Sequence, residues 1–355
     1  MMPHPIDNFI GLKRFFTKSE PPCTIRVKRP QGFRVFEIPY IEKTVGTHLY
    51  VLLKKNIDTF TAIAEIAKRY GGTWCWGGLK DSSAITLQYV CSDKNLENID
   101  ISISQEKCLS LRKIGKGYIN IGMVKENIFL IDVEGKCPIV EYIKSTLNEM
   151  KCVPGIYAYQ RFGTRRPISH IVGKLILKGR FAEAVDVILG EPTPWESPVA
   201  RRLRRLYYSE GPVVYLGAPK FMDIERRLAS YLLKKNSPKK ALFKLPQFRL
   251  FLNAFQAFIY NKALTTYEDT SPFNVTPGYS SWELYKEVLV EENIDKGILK
   301  RYGLKGSPRQ PCTPFNGKVI VHDDTHVSLL FTLPKGYYAT TILREIVKGD
   351  PKNYS

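Results

Sequence analysis

Acidic residues are scarce in this chain. Across 355 residues, 34 Asp and Glu face 53 Lys and Arg, a formal charge of +19 and a pI near 9.5. That deficit suits a polyanionic partner, nucleic acid first and an anionic membrane surface second. Long hydrophobic runs are missing as well. No continuous apolar stretch is long enough to span a bilayer and no basic amphipathic terminal anchor is present, which counts against the membrane. Met1 to Phe9 has two prolines and no apolar run, so no signal peptide is expected and the expected compartment is the cytoplasm. The seven cysteines (Cys23, Cys75, Cys91, Cys108, Cys137, Cys152 and Cys312) are widely spaced, odd in number and never form Cys-x-x-Cys. That pattern predicts reduced, buried thiols and no zinc site. Neither Gly-x-x-x-x-Gly-Lys-Ser/Thr nor a strand–helix Gly-x-Gly-x-x-Gly occurs, so nucleotide and dinucleotide loops are excluded. His322 and His326 flank a predicted hairpin turn and share no helical face, so they read as surface polar residues rather than ligands. Internal repeats and low-complexity tracts are absent too.

What is present is enough apolar material, 44% of the chain, to build two cores. Residues 24–40 and 47–54 read as strands, and Thr59 as the cap of a helix with Phe60, Ile63, Ile66, Ala67 and Tyr70 on its apolar face. Gly71-Gly72 stops that helix. Strands are predicted near 84–91, 106–114, 117–124 and 127–133, then a helix near 138–150. This mixture predicts an α+β fold; a regular β-α-β alternation is missing. After Gly163 helical patterns dominate, over 168–178, 181–189, 196–208, 221–235 and 247–264. Residues 266–282 read as loop. Strand character returns at Val319–Val321 and Val327–Leu333, and a last helix is predicted near 340–348. The expected organisation is one domain from 1–162 with 313–355, and an inserted helical domain over 163–312 with 25 Lys/Arg against 14 Asp/Glu.

One stretch carries chemistry: Trp76-Gly-Gly-Leu-Lys-Asp-Ser-Ser-Ala-Ile-Thr-Leu-Gln88. Two glycines allow a sharp turn, and a strand-like alternation follows. Asp81 therefore sits where a loop enters a strand. Lys80 reads equally as a cation that holds this carboxylate ionised and as a solvated loop lysine. The run Arg201-Arg202-Leu203-Arg204-Arg205, followed by Tyr207 and Tyr208, reads as a solvated helix face or as the lining of an RNA groove.

The longer string resembles the Gly-x-Lys-Asp-x-x-Ala-x-Thr-x-Gln signature of the TruD family of tRNA pseudouridine synthases. Further segments are similar to that family: Val153-Pro-Gly-Ile-Tyr-Ala-Tyr-Gln-Arg-Phe-Gly163, Arg166-Pro-Ile-Ser-His-Ile-Val-Gly173, Asn253-Ala-Phe-Gln-Ala-Phe-Ile-Tyr-Asn261 and Phe331-Thr-Leu-Pro-Lys-Gly-Tyr-Tyr-Ala-Thr340. The resemblance implies a pseudouridine synthase core, a curved mixed sheet with flanking helices, interrupted by a helical domain peculiar to the family. It implies Asp81 as the catalytic residue, acting as nucleophile or base at the sugar. It implies tRNA as partner, no protein partner, no membrane and no cofactor, because the isomerisation transfers no electron and loses no group. The target implied is a D-arm uridine or, as in some relatives, an anticodon-loop uridine. A non-catalytic RNA-binding protein of the same fold is the rival.

A uridine must be flipped out before its glycosidic bond is reachable, so aromatic faces and an amide are expected around Asp81. Taken alone, Phe33, Phe129 and Tyr338 read as core residues, and Asn127 as a turn residue. The family motifs make all four, with Lys80, substrate-binding candidates. The chain departs from the family pattern at Ser82, Glu126 and Gly155. A family lysine upstream of Phe33 falls here on Val27, with Arg26 and Lys28 on either side.

Overall fold

A computed structural model describes residues 1–163, 166–235 and 237–354. The chain divides into two compact units: Thr17–Val153 with Pro314–Tyr354 and Met1, and Met2–Phe16 with Pro154–Thr313. No helix among the described residues is long and apolar enough to cross a membrane.

The first unit is built on a mixed sheet of ten strands. In spatial order its main path runs Asn316–Asp323, His326–Pro334, Val124–Gly135, Phe33–Pro39, Ile85–Ser92, His48–Lys55, Lys107–Lys116 and Ile99–Ser104. Ile25–Val27 pairs with Val124–Gly135, and Trp74–Trp76 with Ile85–Ser92. The pairing of Phe33–Pro39 with Ile85–Ser92 is parallel, which makes the sheet mixed. Strand alternation puts Leu52, Val90, Leu109 and Leu111 on one face, where they bury Ile63 and Ile66 of helix Thr59–Tyr70. Helix Ala339–Val347 is buried along its whole length. The fold is α+β.

The region read as one strand over 24–40 is two. Ile25–Val27 and Phe33–Pro39 are separated by a tight turn in which the Gly32 amide donates to the Lys28 carbonyl at 2.6 Å. A Cβ at Gly32 would lie 2.6 Å from that carbonyl and 2.8 Å from Cβ of Asp132, so only glycine fits. The helix cap is Asp58, whose carboxylate accepts from the Thr61 amide, while the Thr59 hydroxyl is turned towards the 80s loop. Cys23 and Cys137 form a disulfide, with Cα atoms 6.1 Å apart, which corrects the expectation of thiols throughout. Cys75, Cys91 and Cys108 are free.

The second unit is helical. Phe248–Thr266 is its centre, with eleven buried positions on a 19-residue helix, too many for one amphipathic stripe. Ser169–Leu177 packs along it so closely that a Cβ on Gly173 would meet the Phe251 carbonyl at 2.1 Å. Three helices here were not anticipated from periodicity: Pro238–Lys244, and, after the loop that follows residue 266, Trp282–Glu291 and Lys296–Arg301. Gly155, where the family pattern has Asn, lies against the 310–311 backbone, and a Cβ there would be 2.2 Å from the Gln310 carbonyl.

Candidate active site

The turn that breaks the 24–40 segment carries Arg29, and Arg29 is the residue that meets Asp81. Its Nη1 donates to Oδ2 of Asp81 at 3.2 Å and to the Ser83 carbonyl at 2.9 Å; its Nη2 donates to the Tyr354 carbonyl at 3.2 Å. The guanidinium lies 3.8 Å from the centroid of the Phe33 ring. Burial lowers the affinity of Arg29 for its proton, and Asp81 works against that. Guanidinium remains charged regardless. The Arg29 side chain is 13% exposed and that of Asp81 33%, so the cation is held inside while the carboxylate keeps an open edge. The Ser83 amide donates to the other oxygen of Asp81 at 3.2 Å. One guanidinium and one amide thus hold the two oxygens of the Asp81 carboxylate in place.

Lys80 is not the cation beside Asp81. Its ammonium forms an ion pair with Glu37 and donates to Oδ1 of Asn127 at 2.9 Å. The Lys80 and Glu37 side chains are 7% and 0% exposed, so neither reading made from the sequence holds: Lys80 neither sits on the Asp81 carboxylate nor is solvated. The sheet explains the pairing, since Glu37 and Asn127 lie directly opposite one another on neighbouring strands. Glu37 shares the inward face with Phe33 and Val35, and a buried carboxylate there is costly unless paired. Its other oxygen accepts from the Tyr89 amide at 3.2 Å.

Phe33 is 4% and Phe129 7% exposed, and their rings meet edge to face at 6.3 Å. Phe129 stacks on Phe331 at 5.3 Å. Phe33 thus reaches Asp81 through Arg29, Phe129 lies behind Phe33, and Asn127 connects to the loop through Lys80. Tyr338 is half-buried at the N-terminus of helix Ala339–Val347, beyond Leu333, which pairs with Asn127.

The loop is braced from beneath. Thr59 Oγ1 accepts from the Lys80 amide at 3.0 Å and donates to Gln88 Oε1 at 2.9 Å. The Asn56 amide donates to the Ala84 carbonyl at 3.1 Å. Lys54, fully buried, donates to the Ile57 and Asp81 carbonyls at 2.6 and 2.9 Å.

One group of potential metal ligands occurs among the described residues: Asp132, His322 and His326, on the same sheet. The two rings lie 4.5 Å apart, with His322 exposed and His326 half-buried. Asp132 is already paired with Arg34, and Ser328 bridges Asp132 and His322 at 2.7 Å each. The cluster is a polar network whose acceptors are largely spent within it.

In the helical unit the four arginines of the 201–205 run separate. Arg204 is buried, with hydrogen bonds to Glu196 at 2.7 Å, Glu225 at 2.8 Å and the Ile188 carbonyl. Arg166 packs beside it, also on the Ile188 carbonyl, and burial pushes its pKa down to about 10. Arg204 therefore leaves the set of RNA-binding candidates, because its guanidinium is consumed by two carboxylates inside the unit. Arg202 and Arg205 are exposed and Arg201 half-buried.

The family model for tRNA pseudouridine synthase D (TruD) matches residues 9–278. The chain is 30% identical to the "probable tRNA pseudouridine synthase D" of Sulfurisphaera tokodaii, over 98% of this chain and 100% of that one. It is 34% identical to the protein of the same name from Thermococcus gammatolerans, over 90% of this chain and 93% of that one. A crystal structure of a TruD protein from Methanosarcina mazei matches with a TM-score of 0.74 at 22% identity, covering 99% of this chain and 100% of that one. At that identity the likeness speaks for the fold alone.

Proposed function

The chain belongs to the TruD family, and from that premise we propose that it converts a uridine of tRNA to pseudouridine, with Asp81 acting at the ribose. The reaction breaks the C1′–N1 bond, turns the uracil, and forms a C1′–C5 bond, with the C5 proton passing to N1. Atoms and electrons balance within the nucleotide. What the protein must supply is an ionised carboxylate at the sugar and a pocket that holds the base while it turns. The observation that carries this reading is the half-open Asp81 carboxylate anchored by the buried Arg29. Arg29 orients Asp81. Phe33 and Phe129 form the apolar wall, Asn127 with Lys80 faces the base edge, and Tyr338 closes the pocket from the start of its helix.

The sheet unit, Thr17–Val153 with Pro314–Tyr354, is read as the catalytic domain, and the helical unit, which takes in Met2–Phe16 and residues 154–162 beside the expected insertion of 163–312, as the part that holds RNA through Arg201, Arg202 and Arg205. The family resemblance favours a D-arm uridine, with an anticodon-loop uridine second. The test is to incubate the purified protein with tRNA transcripts and map pseudouridine by chemical modification and primer extension, beside Asp81→Asn. The wild type is expected to give one strong new stop, and Asp81→Asn to bind tRNA and give none. Turnover by Asp81→Asn near the wild-type rate removes Asp81 from the reaction. Tight tRNA binding by the wild type without pseudouridine in any transcript favours a non-catalytic RNA-binding protein.

A further inference from the structure

We infer that Lys54 is a positioning residue for the reaction: from beneath the loop it fixes the backbone from which Asp81 projects. The inference rests on the reading of Asp81 given above. Lys54 lies on strand His48–Lys55, where Tyr50, Leu52 and Lys54 alternate onto the buried face, all three at 0% exposure. An ammonium at such a position is costly, and a methionine would fill the space without that cost. Its acceptors show what it does there. It donates to the carbonyls of Ile57 at 2.6 Å and Asp81 at 2.9 Å, and the Lys80 carbonyl lies at 3.5 Å. All are backbone oxygens, and two belong to consecutive residues of the Asp81 loop.

An ammonium has three donors and no acceptor, so it matches a cluster of carbonyls that no neutral side chain of that length satisfies. Fixing the carbonyls of residues 80 and 81 fixes the peptide planes on either side of the Asp81 Cα, and with them the direction of its side chain. The segment after Lys54 holds the same loop at two further points, Asn56 on Ala84 and Thr59 on Lys80. Arg29 sets the carboxylate from one side and Lys54 sets its backbone from the other.

The charged groups that bear on Lys54 are Asp58 at the start of helix Thr59–Tyr70, Asp81 and Lys80. The two carboxylates favour the ammonium and Lys80 disfavours it; burial outweighs them and brings its pKa down to about 8. Above that value the amine has two donors for three carbonyls, and one brace is lost. The loop loosens while the rest of the RNA-binding surface is untouched. The expected consequence is an alkaline limb in kcat that tRNA affinity does not share.

The test compares wild type, Lys54→Met, Lys54→Gln and Asp81→Asn in single-turnover pseudouridine formation on saturating tRNA, with tRNA affinity measured alongside. Lys54→Met is expected to lose roughly a hundredfold in rate, the scale of a misplaced reacting group, with unchanged affinity. Lys54→Gln keeps donors but no titration, so its rate is expected to be reduced and flat from about pH 7 to about pH 9, where the wild type declines. A wild-type rate that stays flat across that range overturns the inference, even where Lys54→Met fails to fold. So does Lys54→Gln with the wild-type rate and profile. An inactive Asp81→Asn in those cases leaves the reading of Asp81 standing; an active one sinks that reading first.

Discussion

Both units bury charge, and they use it differently. In the sheet unit Arg29, Lys54 and the Glu37–Lys80 pair all end on one loop and its carboxylate, while the buried Arg344 and Glu345 pair with each other on helix Ala339–Val347. In the helical unit Arg166, Arg204, Glu196 and Glu225 end on one another and on the carbonyls of helix Phe181–Leu189. The buried bases differ in the same sense. Lys54, with a pKa of about 8, is a cation near neutral pH, whereas His170 lies among Phe9, Phe162 and Phe258 and is neutral there. Burying a charge is costly, and the cost is offset by the ion pairs and hydrogen bonds that the charge makes. In the helical unit the same kind of charge is neutralised where it stands and serves to tie helices together. A buried charge is therefore a pointer to chemistry only when its partners converge on a group with an open edge.

The largest effect that tests this contrast is at Arg204. Arg204→Met leaves Glu196 and Glu225 facing each other without their common cation. Breaking a buried pair in this way costs roughly 3–5 kcal/mol, a large part of a domain's stability. Urea unfolding is expected to show that loss. A variant as stable as the wild type but deficient in RNA binding would place functional charge inside the helical unit and dissolve the contrast.

Next comes acid. Burial pushes His170 down to about 3 from an ordinary 6.5. The unfolded chain takes up a proton below about pH 6.5 that the folded ring refuses, so the folded state loses stability from there down to about pH 3. At pH 5 the loss is about 2 kcal/mol. His170→Phe keeps the aromatic packing and is expected to remove that part of the acid limb. Lys54 acts in the opposite range: its depressed pKa makes stability rise as pH climbs from about 8 towards the ordinary lysine value. An acid limb unchanged in His170→Phe would move the titrating group elsewhere.

Most strands, the longer helices up to residue 264 and the Asp81 loop were legible because each follows a period or a turn signal. The short strands Trp74–Trp76 and Ile99–Ser104 and the short helices Pro5–Phe9 and Pro238–Lys244 were not, and residues 117–123, expected as strand, are loop and turn. Arg29 was not legible either, because the apolar residues on either side of Pro30 give 24–40 the pattern of one strand. Pro30 and Gly32 inside that run are turn residues, and taking them at face value would have put Arg29 on a loop. Glu37 and Lys54 were missed for a related reason. Alternation places Glu37 with Phe33 and Val35, and Lys54 with Tyr50 and Leu52, so each is a charge on an apolar face. Such a residue needs a partner, and the sequence flags the need without naming who meets it. Lys80–Glu37 and Arg29–Asp81 join residues 43 and 52 positions apart, distances that only sheet register fixes. The same holds for Arg204, whose partners Glu196 and Glu225 lie on either side of it in the chain; from composition alone it is indistinguishable from Arg201, Arg202 and Arg205.

The smallest effect is the one that separates those arginines. Arg202 and Arg205 are exposed and Arg201 half-buried, so each replacement by alanine is expected to change stability by no more than about 0.5 kcal/mol. If this face meets RNA, each arginine withdrawn from a phosphate lowers the slope of log affinity against log salt by about 0.9 on duplex, or about 0.7 on single strands. The triple variant is then expected to show a slope shallower by up to about 2–3, weaker tRNA binding at low salt, and an unchanged single-turnover rate at saturating tRNA. Arg204 has to stay in place, because its removal would mix unfolding with weakened binding. An unchanged slope would mean that this face is solvated and that the RNA lies elsewhere. A lost rate at saturation would mean that the charge of this unit reaches the chemistry, and the division of labour between the two units would have to be redrawn.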